Sequence, residues 1–178
     1  MSLKAHFQLL ASYNQWMNAK VYEAAGSLSA SELAKDRGGF FGSVLGTLNH
    51  IVVADTIWLK RFVTHPSCGA LFRAVTDLEN PTRLDQILFN DLGSLKGHRI
   101  WLDRQIIDWI SRLSEDDLDF VLSYRSIKGT LARKRYSSLV LHFFNHQTHH
   151  RGQVSTLLSQ LHVDIGVTDL LERIPDEP

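Results

Sequence analysis

The chain has almost nothing with which to cross-link itself. Cys68 is its only cysteine, which excludes an intrachain disulfide and a thiolate metal cluster alike. That leans towards a reducing, cytoplasmic setting. It has no excess of charge of either sign: nineteen Lys and Arg balance nineteen Asp and Glu. Nucleic-acid binders usually carry a basic face, so a nucleic-acid partner is not expected. The one basic concentration is Arg125, Lys128, Arg133, Lys134 and Arg135. No apolar run approaches the roughly 18 residues that would span a bilayer, and polar residues interrupt MSLKAHFQLLASYNQW, which does not read as a signal peptide. A membrane partner is not expected either. Internal repeats and low-complexity stretches are also missing.

What is present is an ordinary globular composition, 44% hydrophobic over 178 residues. That is enough for one domain, 1–178, with a sizeable core. Four segments carry helical periodicity. The first, about 3–25, places Leu3, Phe7, Leu10, Met17, Val21 and Ala24 on one stripe. A glycine-bearing connection follows, in which Ser29 and Ser31 ahead of Glu32 can cap a short turn. The second segment, about 43–62, is apolar on more than one face. The third, about 81–113, opens at Pro81, a residue suited to a first helical turn. It carries Leu84, Leu88, Leu92, Leu95, Leu102, Ile106, Trp109 and Leu113 on its stripe, with a bend expected at Gly93 and Gly97. The fourth, about 137–161, has Leu139, Phe143, Val154, Leu157 and Leu161 on its stripe. Between the last two, Phe120–Tyr124 and Thr130–Tyr136 read as two short strands about a Ser126–Gly129 turn. The predicted fold is all-α: an antiparallel four-helix bundle with a small β-hairpin between helices 3 and 4.

Histidine is abundant, with nine in the chain and four of them at 142, 146, 149 and 150. His146 and His150 are spaced i, i+4, so both imidazoles lie on one helix face within reach of one ion. On a helical wheel they straddle the centre of the fourth stripe, whereas His142 and His149 fall at its edge. Two histidines within a core stripe need partners, because a buried unsatisfied polar atom costs about 1–3 kcal/mol. A metal satisfies one nitrogen of each ring; paired core histidines are the bland alternative. A third ligand must come from another helix, and periodicity leaves His50 and His98 open. Asn14 and Asp91 also sit near core stripes, where each could line a polar pocket or simply make a buried hydrogen bond.

Three stretches resemble a known family: Tyr13-Asn14-Gln15-Trp16-Met17-Asn18; Gly46-Thr47-Leu48-Asn49-His50-Ile51 with Asp55 and Trp58; and Asn145-His146-Gln147-Thr148-His149-His150-Arg151-Gly152-Gln153-Val154. They lie in the order found in the DinB family, within the DinB/YfiT-like group of metalloenzymes, and the chain is similar to that family over nearly its whole length. The resemblance implies a four-helix bundle with a three-histidine metal site, and it selects His50 over His98. The implied ligands are therefore His50, His146 and His150. Met17 replaces the small residue more usual before Asn18.

Three neutral imidazoles leave a coordination position open, as in catalytic zinc sites. The ion is a divalent one, zinc or nickel first. Because related families use low-molecular-weight thiols, the first expected reaction is thiol S-transfer to a small-molecule substrate, and the second is hydrolysis. Asn14, Asp91 and His149 are the candidates for orienting that substrate or moving a proton. The competing reading is a stress or sensor protein that holds the ion without turnover. Leu141 and Phe144, which fall away from the fourth stripe, suggest a homodimer surface.

Overall fold

The computed structural model describes residues 2–68 and 73–176. It is mostly helical with one small antiparallel sheet. Helix α1 spans Leu3–Ala25, started by the Ser2 side chain, which accepts from the Ala5 amide. A short α2, Ala30–Ala34, carries the expected Ser29–Glu32 capping box. Helix α3 is Val44–Phe62, capped by Ser43 and buried on nearly every side along its first three turns, as its all-round apolarity predicts. Short helices α4 (Arg73–Thr76) and α6 (Glu115–Asp119) flank the long α5, Leu92–Arg112. Strands β1 (Val121–Arg125) and β2 (Leu131–Arg135) pair antiparallel, Val121 opposite Arg135, and lead into α7, Tyr136–Ser159. The chain closes with a 3₁₀ turn at Leu170–Arg173, near α1.

Helix α1 packs on α5 and α7, and α3 packs on α7 and more lightly on α5. Phe62, Trp109, Tyr136 and Phe143 interleave at the centre of the apolar core. Trp109 Nε1 donates to the Tyr136 hydroxyl at 3.0 Å, and Cys68 lies buried 3.3 Å from the same oxygen. Among the described residues, no helix is long and apolar enough to cross a membrane.

The third helix departs from expectation. It begins at Leu92, not near Pro81, because the intervening backbone is bonded to a side chain of α3. Asn49 Oδ1 accepts from both the Leu88 and the Phe89 amides, and its Nδ2 donates to the Phe89 carbonyl. Amides held this way cannot enter an i→i−4 ladder. Asp91 then supplies the cap, accepting from the Ser94 amide at 2.8 Å; it stands at the exposed start of α5 rather than on a core stripe. Leu84 is correspondingly exposed. The predicted bend at Gly93 and Gly97 is replaced by the helix start.

The buried face of α7 is also rotated from the predicted stripe. Val140, Phe144, Gln147, Arg151 and Leu158 are buried alongside Phe143 and Val154, so Gln147 and Arg151 lie within that face. His150 stays buried, His146 is half-buried, and the pair sits at the margin of the face rather than its centre. Phe144 packs on Phe7 with ring centroids 6.4 Å apart and is removed from any surface role. Leu141 alone of the two is exposed, at 55%.

Candidate metal centre

The rings of His50, from α3, and of His146 and His150, one turn apart on α7, converge. His50 Nε2 lies 3.3 Å from His146 Nε2 and 3.2 Å from His150 Nε2. One nitrogen of each ring lies within 4.8 Å of the other two, so the trio can hold a metal ion. His98, the rival third ligand, packs instead between Phe89 and Trp101.

The outward nitrogens fix what the inward ones are. His50 Nδ1 is 2.8 Å from the Leu84 carbonyl. A carbonyl only accepts, so Nδ1 carries the proton and Nε2 presents a lone pair. His150 Nδ1 donates in the same way to Gln153 Oε1 at 2.8 Å. Two lone pairs thus face each other, an arrangement that repels unless a proton or a cation lies between them. Protonation is disfavoured. Burial, aided by the neighbouring His150, pushes His50 down to about 4; burial and the surrounding histidines push His146 to about 3; His150 is lowered too. Neutral imidazole is the metal-binding form. Hydrogen-bonded outward nitrogens are the usual support of ligand histidines. The donor set therefore fits a divalent cation. His146 Nδ1 is buried without a partner, so its ring is less firmly held. Phe41 stacks on His50 at 3.7 Å, nearly parallel, and closes one side of the cluster.

The family model for the DinB family matches residues 1–176. This chain belongs to the DinB family. It is 23% identical to Protein DinB of Bacillus subtilis (strain 168) over 160 residues, covering 90% of this chain and 88% of that relative. No solved structure gives a significant match.

In this DinB-family chain the other predicted site residues separate. His149 is exposed beside the cluster, its ring 4.8 Å from that of His150 and its Nε2 3.4 Å from Gln153 Nε2. Asn14 lies in the polar core instead: its Oδ1 accepts from Arg151, and its Nδ2 donates to Asp103 Oδ1 at 3.3 Å. Asp91 caps α5 and is not brought to the histidines. Residues that sequence reasoning passed over are Phe41, the Leu84 carbonyl, Gln153 and a buried ionic network. In that network Arg99 bonds Asp55 and pairs with Asp103 at 2.9 Å, and Asp103 accepts from Asn18 at 2.9 Å. Gln153 had a signal, three residues beyond a ligand histidine on the same helix. Arg99 and Asp103, at i, i+4, had one too. A backbone carbonyl leaves none.

Proposed function

We propose that this protein binds one divalent ion, zinc or nickel, through the Nε2 atoms of His50, His146 and His150. It uses the remaining coordination position to act on a small-molecule substrate. The reading takes the chain as a single antiparallel four-helix bundle in which α1, α3, α5 and α7 are the four members. The observation that carries it is the set of three neutral imidazoles, two with their lone pairs fixed inward by Leu84 and Gln153. When bound, such an ion supplies Lewis acidity and lowers the pKa of a coordinated thiol or water. Thiol S-transfer with a low-molecular-weight thiol is the first reaction proposed, and hydrolysis the second.

The chain's own residues do the rest. Leu84 and Gln153 orient two rings, and Phe41 shields His50 from water on one face. His149, exposed next to His150, is placed to carry a proton to or from solvent. Cys68 takes no part: it is buried against Tyr136, and burial raises its thiol above the usual range. Any thiol therefore comes from a cosubstrate. The Phe41 cover over His50 favours the second reading, a metal-holding protein without turnover.

The test starts from elemental analysis of untagged protein. A thiol-conjugation assay with an electrophilic acceptor follows, on metal-loaded, chelated and His150→Ala protein. Stoichiometric metal, with activity lost on chelation and in the variant, is expected. Activity that survives both makes the ion structural; metal without any turnover selects the second reading.

A further inference from the structure

The start of the basic hairpin meets the last turns of α3 in a cleft of about 340 Å³, and none of the three converging histidines lines it. Its cations are Lys60 and Arg61 from α3 and Arg125 from β1; no Asp or Glu is among its walls. Arg61 is half-buried, its guanidinium carbon 4.6 Å from the Trp58 ring centroid and 5.0 Å from that of Tyr124. Stacking on the two rings holds the guanidinium in place but satisfies none of its N–H groups. Among the described residues no carboxylate pairs with Arg61 and no acceptor meets its guanidinium. By contrast, Arg83, Arg99, Arg112 and Arg135 each meet a carboxylate. Burial pushes Arg61 down from the ordinary guanidinium range, with only Tyr124 opposing it. A cation held partly out of water without a counter-charge is costly, and it points to an anion that completes the site.

The donors select that anion. A guanidinium edge presents parallel N–H groups that match two oxygens of a carboxylate or a phosphate. Lys60 Nζ is anchored by donating to the Thr76 and Leu78 carbonyls, which fixes its charge at the cleft and leaves a third N–H. Ser126 Oγ accepts from the Thr130 amide at 3.1 Å, leaving its own O–H to donate. The acids nearby in the sequence do not answer these groups: Asp77 and Glu79 are exposed and off the lining, and Asp85 is paired with Arg83. Ile57 and Ile127, the latter 55% exposed, add an apolar wall. A recess of this size suits a small molecule. We propose that the cleft between α3 and the hairpin is a second binding site, separate from the metal centre. Its ligand is a small organic oxyanion, which sets a phosphate or carboxylate group against Arg61, Lys60 and Arg125 and lays a compact apolar body against Ile57 and Ile127.

Phenyl phosphate and benzoate carry the oxyanion, and benzamide keeps the body without the charge. Each is titrated into the full chain in phosphate-free buffer, following the Arg61 Nε–H and the Trp58 indole N–H by NMR. At least one oxyanion is expected to shift those signals saturably, and benzamide to bind about tenfold more weakly or worse. Arg61→Gln keeps a planar end and deletes the charge. It should weaken the oxyanion about tenfold to a hundredfold, the range of charge-assisted hydrogen bonds, with the helical circular dichroism unchanged. Arg125→Glu sets a carboxylate on the lining from an exposed position and should weaken the oxyanion several-fold without touching the stack on Trp58. Stripping the ion with a chelator, then removing the chelator, should leave the affinity as it was, because the histidines lie elsewhere. Equal binding of benzamide, no saturable shift from either oxyanion, wild-type affinity in both variants, or loss of binding with the ion each overturns the proposal. So does tighter binding per phosphate by a single-stranded oligonucleotide, which would make the hairpin a nucleic-acid surface.

Discussion

At the scale of single residues, the histidines of α7 are not equivalent, although four of them fall within nine positions. His146 and His150 turn a ring nitrogen to His50; His142 faces Trp58, with ring centroids 5.1 Å apart, and His149 faces solvent. Replacing His146 with Ala should therefore lower metal content far more than His142→Ala or His149→Ala, measured by mass spectrometry of the bound element. Equal losses at all three would show that the ion is held by a diffuse cluster. Gln153 is the finer probe. It touches no ion, but its Oε1 fixes the tautomer and pose of His150. Partners of this kind typically contribute about 10–100-fold to metal affinity. Gln153→Leu is expected to weaken competition against a chelator by that order without changing the helical circular dichroism.

At the scale of elements, the site depends on how closely α3 approaches the loop before it. A Cβ on Gly46 would stand 2.2 Å from the Phe41 carbonyl oxygen, so only glycine lets the first turn of α3 pass beneath the residue that covers His50. Gly46→Ala should displace that loop and destabilise the protein by about 1–3 kcal/mol, the usual range for overpacking, as read by urea denaturation. Tryptic cleavage at Arg37 should rise with it.

These elements also show what the sequence makes legible. Helices α1 and α3 and the hairpin follow from pattern and caps, within a residue or so at most ends. The i, i+4 histidine pair is visible on the wheel, but its third member is not: periodicity left His50 and His98 equal, and only the family resemblance separated them. The start of α5 was illegible because Asn49, forty residues away, captures amides that local propensity assigns to a helix. The buried face of α7 was misjudged for a related reason. The predicted stripe leaves out Arg151 and Gln147, yet α1 offers Asn14 and Asn18 as acceptors for the Arg151 guanidinium. Polar residues of that kind enter a core only when their partners do, and the partners lie on other helices.

At the scale of the whole molecule, the histidines tie folding to pH once the ion is removed. In the unfolded chain His50 and His146 take up protons near pH 6.5; in the folded metal-free protein they resist to about 4 and about 3. Between those limits the unfolded state binds more protons, so stability rises with pH there. The stability of chelated protein should be full above about pH 7. It should fall as pH drops through 6.5 towards 4, and its melting temperature at pH 5 should lie below that at pH 7.5. A flat profile would mean that the rings are far more accessible than their packing indicates. Metal-loaded protein should show a slope at least as steep and extended to lower pH, because the ion keeps the folded imidazoles unprotonated while the unfolded chain still takes up protons.

The bond from His50 Nδ1 to the Leu84 carbonyl has a mechanical consequence. It joins a candidate ligand to a segment 34 residues away that has no regular structure and hangs on Asn49 nearby. The segment from 82 to 90 is thus latched to the same helix that would carry the ion. Hydrogen exchange offers a way to watch that latch: the Leu88 and Phe89 amides should exchange slowly in loaded protein, like helical amides rather than loop ones. Chelation should speed them together with the His50 turn of α3, as one cooperative opening, while the far end of α5 keeps its protection. Occupancy of the metal centre would then be felt as the tightness of a surface strap, and the ion would set how readily a protease or a partner can reach that stretch of chain.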